Sequence, residues 1–145
     1  MDLNHGKYLG VDYGDKRTGL AECDLSGQLA SGICTISEGG MRKTAERVKR
    51  EAESRGCKKI IVGLPKNMDG SEGPRADVVK AFVALLSEIC EIPIEFFDER
   101  MTTMAAYRLL DGSGTYGKKR KDVIDTLSAE LILQGYLDRE RAQNK

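Results

Sequence analysis

Four acidic residues stand at points in the sequence from which a folded chain could bring them together. Asp12 ends one short apolar segment, Asp98 and Glu99 end another, and Asp125 stands near the start of the last predicted helix. Each has an ordinary explanation, because an acid can begin a turn, cap a helix or lie at the positive end of a helix dipole. As a set, however, they are carboxylates placed at the ends of structural elements.

The spacing around Asp125 indicates where its side chain points. Ala129, Ile132 and Tyr136 follow it at helical intervals, so all four residues share one stripe of a helix. The stripe is largely apolar and is expected to face a sheet. A carboxylate there loses hydration at a substantial cost unless a cation meets it. The alternative is a partly hydrated acid in the first helical turn.

Clustered carboxylates repel one another and raise each other's pKa, so such a cluster persists best around a hard divalent cation. Oxygen ligands favour Mg²⁺ or Mn²⁺ over zinc. Two such ions roughly 4 Å apart can activate water and stabilise the leaving oxygen of a phosphodiester. The single histidine, His5, and four cysteines without a C-x-x-C pair provide no competing zinc site.

Two segments could bind the phosphate groups that such chemistry needs. The first, 63–76, leaves an apolar strand and enters a helix whose exposed N–H groups could bind an anion, aided by Lys66 and Arg75. It lacks the phosphate-loop pattern G-x-x-x-x-G-K-[ST], and it could be an ordinary crossover loop. The second is a basic run just before Asp125 that could grip a nucleic-acid backbone or simply be solvated; it contains Lys118, Lys119, Arg120 and Lys121.

Three further cations lie beside the acids. Lys16 and Arg17 follow the first acidic segment, and Arg100 follows Glu99. They could neutralise phosphate or merely pair with neighbouring acids such as Asp98. Because no aromatic ladder for stacking bases is visible, recognition is expected to depend on backbone shape rather than base identity.

The elements that must position these residues follow from apolar periodicity and turn signals. Five strands are predicted, at Lys7–Asp12, Arg17–Cys23, Ala30–Ser37, Lys59–Leu64 and Pro93–Phe97. Helices are predicted at Met41–Arg55, from Pro74 with apolar positions as far as Ile89, at Thr102–Leu110 and at Asp122–Arg141, with a Gly-rich basic loop at Asp111–Lys121. The order β-β-β-α-β-α-β-α indicates an α/β fold with a mixed five-stranded sheet covered by helices.

Length and composition limit the class of protein. The 145 residues fit one domain, 1–145, and 40% apolar content indicates a globular chain. Equal numbers of basic and acidic residues give a formal net charge of zero, which excludes a uniformly basic surface but not a basic patch. With no signal-like or membrane-spanning segment and four cysteines in or beside apolar runs, a reducing, cytoplasmic location is expected, away from any membrane.

Four segments in order resemble the YqgF/RuvX family, named both as Holliday-junction-resolvase-like proteins and as pre-16S ribosomal RNA nucleases. They are GVDYGDKRTGLA at 10–21, IVGLPKNMDGSEGPRA at 61–76, FDERMTT at 97–103 and KKRKDVIDTLSAELILQGYLD at 118–138. The resemblance implies a ribonuclease-H-like fold with helices on both sheet faces. It also implies that Asp12, Glu99 and Asp125 are the catalytic, metal-binding acids, with Asp98 as the rival of Glu99.

The leading hypothesis is therefore a metal-dependent nuclease acting on structured nucleic acid. The resemblance implies precursor 16S rRNA or branched DNA as substrate, and RNA is favoured because a junction resolvase needs a symmetric dimer. The sequence shows no exposed apolar stripe that would form a dimer interface, so a monomer or weak homodimer is expected. The alternatives are a non-catalytic nucleic-acid-binding module and a sugar-kinase-like phosphotransferase; the latter would need a second such domain.

Overall fold

The computed structural model describes residues 5–37, 39–102 and 117–144, with the backbone alone for 117–125. The strands are β1 (Tyr8–Asp12), β2 (Thr18–Cys23), β3 (Ala30–Ile36), β4 (Lys59–Leu64) and β5 (Ile94–Asp98). The helices are α1 (Gly40–Ser54), α2 (Pro74–Ile89) and α3 (Gly117–Gln143), and a short 3-10 helix spans Glu99–Met101.

All five strands form one mixed sheet in the order β3-β2-β1-β4-β5. The first three strands form an antiparallel meander, and β4 and β5 add to it in parallel. Short turns connect the antiparallel strands, whereas the parallel strands need the crossover helices α1 and α2. The carboxyl ends of β1, β4 and β5 consequently lie at one edge of the sheet, called here the carboxyl edge.

Each face of the sheet has its own apolar core. On one face, Leu9 and Val11 of β1 pack with buried residues of α1 and α2 such as Val48 and Phe82. On the other, alternate strand residues such as Ile61 and Phe97 pack with Ala129, Ile132 and Leu133 of α3. We call the second the α3 face. Because side chains alternate along a strand, this division fixes which face every strand residue presents.

The structure confirms the predicted strand and helix order of the described elements, with strand limits shifted by no more than one residue. The predicted start of the last helix was wrong: α3 begins at Gly117 rather than Asp122, so Lys118–Lys121 are helical and not in a loop. Lys and Arg are good helix formers, so the basic run belongs to the helix in spite of the glycines that precede it. The predicted helix Thr102–Leu110 lies outside the described residues beyond Thr102, as does 111–116.

Three of the four cysteines are buried, at Cys23, Cys57 and Cys90, and all four are free thiols. Burial raises the pKa of the Cys57 thiol to about 11. These residues therefore act as small apolar groups, as predicted. Among the described residues, no helix combines the length and apolar character needed to cross a membrane.

Candidate active site at the carboxyl edge of the sheet

Asp12 is the last residue of β1 and lies half-buried on the α3 face. Gly10, two residues earlier, lies against α3, and alternation gives Asp12 the same face. Asp12 pairs with Gly19 of β2. On its other side the parallel register pairs Val11 with Val62, so the next position on β4 is Gly63. Asp12 therefore has a glycine beside it on each neighbouring strand, Gly19 on β2 and Gly63 on β4.

Glu99 reaches the same place from β5. A Cβ built on Gly63 would lie 3.2 Å from Glu99 Cγ and 2.4 Å from Ile132 Cδ1 of α3. The Glu99 side chain therefore extends across Gly63 on the α3 face. Because Gly63 is also the β4 position beside Asp12, the two predicted acids flank one glycine. β4 separates β1 from β5, so the backbones of these two strands lie about 9.6 Å apart, and the Glu99 side chain shortens that gap by lying against Gly63.

Asp98 faces away from this position. Phe97 packs on the α3 face, and alternation turns Asp98 to the opposite one. Its carboxylate accepts hydrogen bonds from Arg100 Nε at 3.0 Å and Nη2 at 2.7 Å. The Arg100 guanidinium and a nearby Lys66 hold the pKa of Asp98 below its usual value. Of the D-E-R triplet, only Glu99 extends over Gly63.

The backbone of α3 brings residue 125 towards Asp12. Gly10 of β1 lies against Ala129 and Leu133, and Tyr8, two residues earlier, makes a ring contact with Tyr136, so strand and helix run in opposite directions. The step from Gly10 to Asp12 covers about 6.6 Å. That distance equals about four residues of helix. Asp125 is four residues before Ala129, so the α3 backbone at residue 125 lies level with Asp12. The side chain of Asp125 is outside the part of the chain that the structure describes.

Among the described side chains, which include Asp12 and Glu99 but not Asp125, no three acidic, histidine or cysteine residues form a candidate metal cluster. Two carboxylates over a glycine are a partial ligand set for an oxygen-preferring cation. A third ligand would have to come from α3.

The predicted phosphate-binding loop between β4 and α2 uses many of its own polar groups. The backbone N–H groups of Asn67 and Gly70 donate to backbone oxygens within the loop at 2.9 Å. Ser71 N–H donates to Asp69 Oδ1, also at 2.9 Å. Gly70 has a positive φ of 90°, which a glycine adopts without strain. These three donors are therefore used within the loop, whereas the phosphate-binding prediction concerns the start of α2 with Lys66 and Arg75, and it stays a prediction.

The cations around the carboxyl edge differ in exposure. Lys16 and Arg75 are exposed, whereas Arg17 and Lys66 are half-buried. Lys16 and Arg17 lie in the turn that follows Asp12, and that turn is tight because a Cβ on Gly14 would meet the Arg17 carbonyl oxygen at 2.4 Å. Side chains of Lys118, Lys119 and Arg120 lie outside the description, although their backbone begins α3.

A model of the family described as "RuvX: Holliday junction resolvase" matches residues 6–139. The chain belongs to the RuvX family. It is 46% identical to a protein of Thermoanaerobacter pseudethanolicus over 93% of this chain and 98% of the relative. It is 44% identical to one of Clostridioides difficile, over 92% and 94%. Both relatives are provisionally named pre-16S rRNA nucleases.

Solved structures give the fold of this RuvX family member. RuvC of T. thermophilus, in complex with a Holliday junction substrate, superposes with a TM-score of 0.60 at 12% identity, covering 94% of this chain and 97% of RuvC. A second RuvC structure from the same organism gives a TM-score of 0.58. The predicted ribonuclease-H-like α/β fold is thereby confirmed.

Sequence reasoning missed the glycines of this RuvX site. Gly63 interrupts the apolar run KIIVGL, and Gly10 lies inside β1, where a Cβ would meet Leu133 Cβ at 2.7 Å. A glycine inside a strand often marks a close approach of backbone or ligand. That signal was available in the sequence, but only the packing of α3 shows what approaches.

Proposed function

We propose that this protein is a metal-dependent nuclease that hydrolyses phosphodiester bonds in structured nucleic acid. One observation carries the proposal: Asp12 and Glu99 flank Gly63 on the α3 face, at the sheet edge to which the backbone of α3 runs through residue 125. Membership of the RuvX family supports nuclease chemistry independently of that geometry.

Asp12, Glu99 and Asp125 would hold Mg²⁺ or Mn²⁺. The donor set fits these ions because carboxylate oxygens suit hard cations. Bound divalent ions would supply water activation and charge stabilisation at the leaving oxygen. The two-ion form of this chemistry is part of the proposal.

The chain's own cations would bind the nucleic-acid backbone around that centre. Lys16 and Arg17 lie in the β1–β2 turn, Lys66 lies in the β4–α2 loop and Arg75 in the first turn of α2, and Lys118, Lys119 and Arg120 are near the start of the helix that carries Asp125. Because such contacts are to phosphates, they would fix the orientation of the strand without reading sequence. Binding is expected to weaken steeply with salt.

The substrate we favour is the immature end of 16S rRNA, because the relatives at 44–46% identity carry that name. The second candidate is branched DNA, which the family description supports. A four-way junction needs two coordinated cuts, and a symmetric dimer supplies them. The oligomeric state therefore bears directly on the choice.

The test uses one protein preparation and two substrates. Pure protein is incubated with precursor 16S rRNA or a four-way DNA junction, in Mn²⁺, Mg²⁺ or EDTA. We expect metal-dependent cleavage, with the RNA cut faster, and loss of cleavage in Asp12→Asn. Metal-dependent cutting of the junction alone would reassign the substrate. Failure to cut either, or cutting that survives EDTA, would refute the nuclease proposal.

A further inference from the structure

Arg100 is tied to the residue two positions before it. Its guanidinium forms a two-pronged ion pair with the Asp98 carboxylate, with Nη2 at 2.7 Å and Nε at 3.0 Å from Oδ2. Nε also approaches Oδ1 at 3.2 Å. Such paired geometry is more specific than a single contact, because the planar fork matches the carboxylate. The side chain is therefore directed, although it is solvent-exposed.

The same guanidinium also contacts the β4–α2 loop. Arg100 Nη1 donates to the backbone oxygen of Met68 at 3.4 Å, and a Cβ on Gly70 would lie 3.4 Å from the same nitrogen. The nearby Asp69 carboxylate adds attraction and helps to keep the pKa of Arg100 raised, after the larger effect of Asp98. Arg100 thus joins two segments that are about 30 residues apart in the chain.

Asp98 has a second task at the start of the 3-10 helix that contains Glu99. Its Oδ1 accepts the backbone N–H of Arg100 at 2.9 Å, which caps the helix. At the other end, the Thr102 N–H and hydroxyl both donate to the Glu99 carbonyl oxygen, at 3.1 and 2.8 Å. The turn that aims Glu99 across Gly63 is consequently bonded at both ends.

We propose that Asp98 and Arg100 form a clamp that ties the β4–α2 loop to the 3-10 helix and so holds Glu99 in its working position. Both are positioning residues in this proposal, which rests on the nuclease function proposed above. The three residues of the D-E-R triplet then have different roles. Its central acid faces the reaction, and its outer pair, on the opposite side, fixes the backbone.

The competing role for Arg100 is direct contact with substrate phosphate. The chemistry of Asp98 separates the two roles, because a carboxylate cannot bind phosphate but is half of the clamp. A clamp predicts the same defect from either side, whereas a phosphate contact predicts a defect for Arg100 alone. Lysine also separates them, since it can meet a phosphate as a point charge but cannot reproduce the two-pronged pair.

The experiment compares Asp98→Asn, Arg100→Gln, Arg100→Lys and the double variant Asp98→Asn/Arg100→Gln with the wild type. Asparagine keeps an oxygen that can cap the 3-10 helix, so it removes the ion pair selectively. Arg42→Gln is the matched control, because Arg42 is an exposed arginine in an ion pair with Glu46 on α1. Cleavage is measured as kcat and KM over a Mn²⁺ titration.

We expect kcat to fall about 10- to 100-fold in each clamp variant, as for other groups that support a metal ligand, with KM little changed. The double variant should be no worse than the single ones, because the pair acts as one unit. Arg100→Lys should be as impaired as Arg100→Gln. A KM defect confined to Arg100→Gln and restored by lysine would overturn the clamp in favour of phosphate contact. Loss of activity in Asp98→Asn alone would overturn it in favour of Asp98 as a ligand.

A second readout does not depend on nuclease activity. Hydrogen exchange of the loop 67–71 should speed up at least tenfold in Asp98→Asn and Arg100→Gln, and remain at the wild-type rate in Arg42→Gln. If the wild type cleaves nothing yet the loop exchanges faster in both variants, the clamp stands and the nuclease proposal fails. If exchange is unchanged in both variants, the clamp is refuted, whatever the activity.

Discussion

The two ends of the sheet contain similar residue types in different arrangements. At the amino end of β1, a cluster of aromatic and charged side chains joins β1, β4, β5 and α3, and we call it the amino-end cluster. Its members are His5, Tyr8, Lys59, Glu95, Tyr136 and Glu140. At the carboxyl edge, Glu99 lies instead against Gly63 and Asp12 is on the strand beside that glycine, with cations on the surrounding turns.

In the amino-end cluster, opposite charges meet inside the cluster. Lys59 Nζ lies 2.8 Å from Glu95 Oε2 and donates to the Tyr136 hydroxyl at 3.0 Å. Glu140 accepts the Tyr8 hydroxyl at 2.8 Å, and burial, with this bond, raises the pKa of Tyr8 to about 12. An arrangement so fully matched is expected to stabilise the fold and to bind nothing else.

Acids and bases in close proximity do not by themselves mark an active site. What distinguishes the carboxyl edge is two acids on either side of a glycine at which a Cβ would collide with Ile132 and Glu99. Like charges held together favour a cation, whereas matched charges satisfy each other. Four predictions test this difference, beginning with the largest effect.

Replacing Asp12 with Asn should reduce cleavage by at least about 100-fold, because loss of even an outer partner of a metal site costs 10- to 100-fold. The melting temperature should change little, because asparagine keeps the shape of aspartate and an oxygen that accepts hydrogen bonds. Asp15→Asn, the same change at an exposed acid three residues away, is the control and should leave cleavage intact. Equal losses in both variants would remove the distinction between Asp12 and its surroundings.

Gly63→Ala should lower cleavage by up to about 100-fold, because displacing a catalytic group by 1 Å can have that effect. The new methyl group would press on Ile132 and Glu99. Overpacking should also lower the free energy of unfolding by about 1–3 kcal/mol. In Gly39→Ala the added Cβ meets nothing within 4 Å, so that variant should match the wild type. Full activity in Gly63→Ala would show that Glu99 needs no such space.

Lys59→Met should lower stability and leave cleavage intact, the opposite of the result expected for Asp12→Asn. Removing the ammonium takes its hydrogen bonds from Glu95 and Tyr136, whose bond to each other remains, and should lower the free energy of unfolding by about 1 kcal/mol in denaturant titration. Cleavage per folded molecule should be unchanged. Lys58→Met, at the exposed neighbouring lysine, should change stability by less than about 0.5 kcal/mol. A catalytic defect in Lys59→Met would mean that the two ends are coupled.

The smallest effect concerns acid stability. Hydrogen bonds from Lys59 and then Tyr136 lower the pKa of Glu95 in the folded protein. A lowered carboxyl pKa contributes stability above the unfolded-state value, about 4.3, and that contribution is lost as the pH falls through the folded-state value. Glu95→Gln should therefore flatten the fall in unfolding free energy below about pH 5. An unchanged slope would exclude Glu95 as a source of the acid response.

The strands and helices could be predicted from sequence because their signals are local. The β-branched run of β4 and the alternation in β1 each predict a strand, and turn residues mark where these strands end. The glycines before the basic run 118–121 predict a loop there, against the helix propensity of Lys and Arg. In the structure this run is at the start of α3. Where helix-forming residues follow glycines in the sequence, the tertiary packing decides which of the two preferences prevails.

The candidate acids could also be chosen from sequence, since Asp12, Glu99 and Asp125 end or begin predicted elements. Their relation to one another could not. Whether Asp98 or Glu99 faces α3 depends on a one-residue register, and a slip of one residue exchanges the two faces. The β4–β5 pairing fixes that register, with Gly63 opposite Phe97.

The order of elements, the residue types available for chemistry and their places at element ends can be predicted from the sequence, because these depend on neighbours within a few positions. The position of Gly63 between Asp12 and Glu99, and the return of Arg100 to Asp98 and the β4–α2 loop, are visible only in the folded chain. Those facts arise from strand pairing and helix packing between segments far apart in the chain. No local pattern encodes the distance between them.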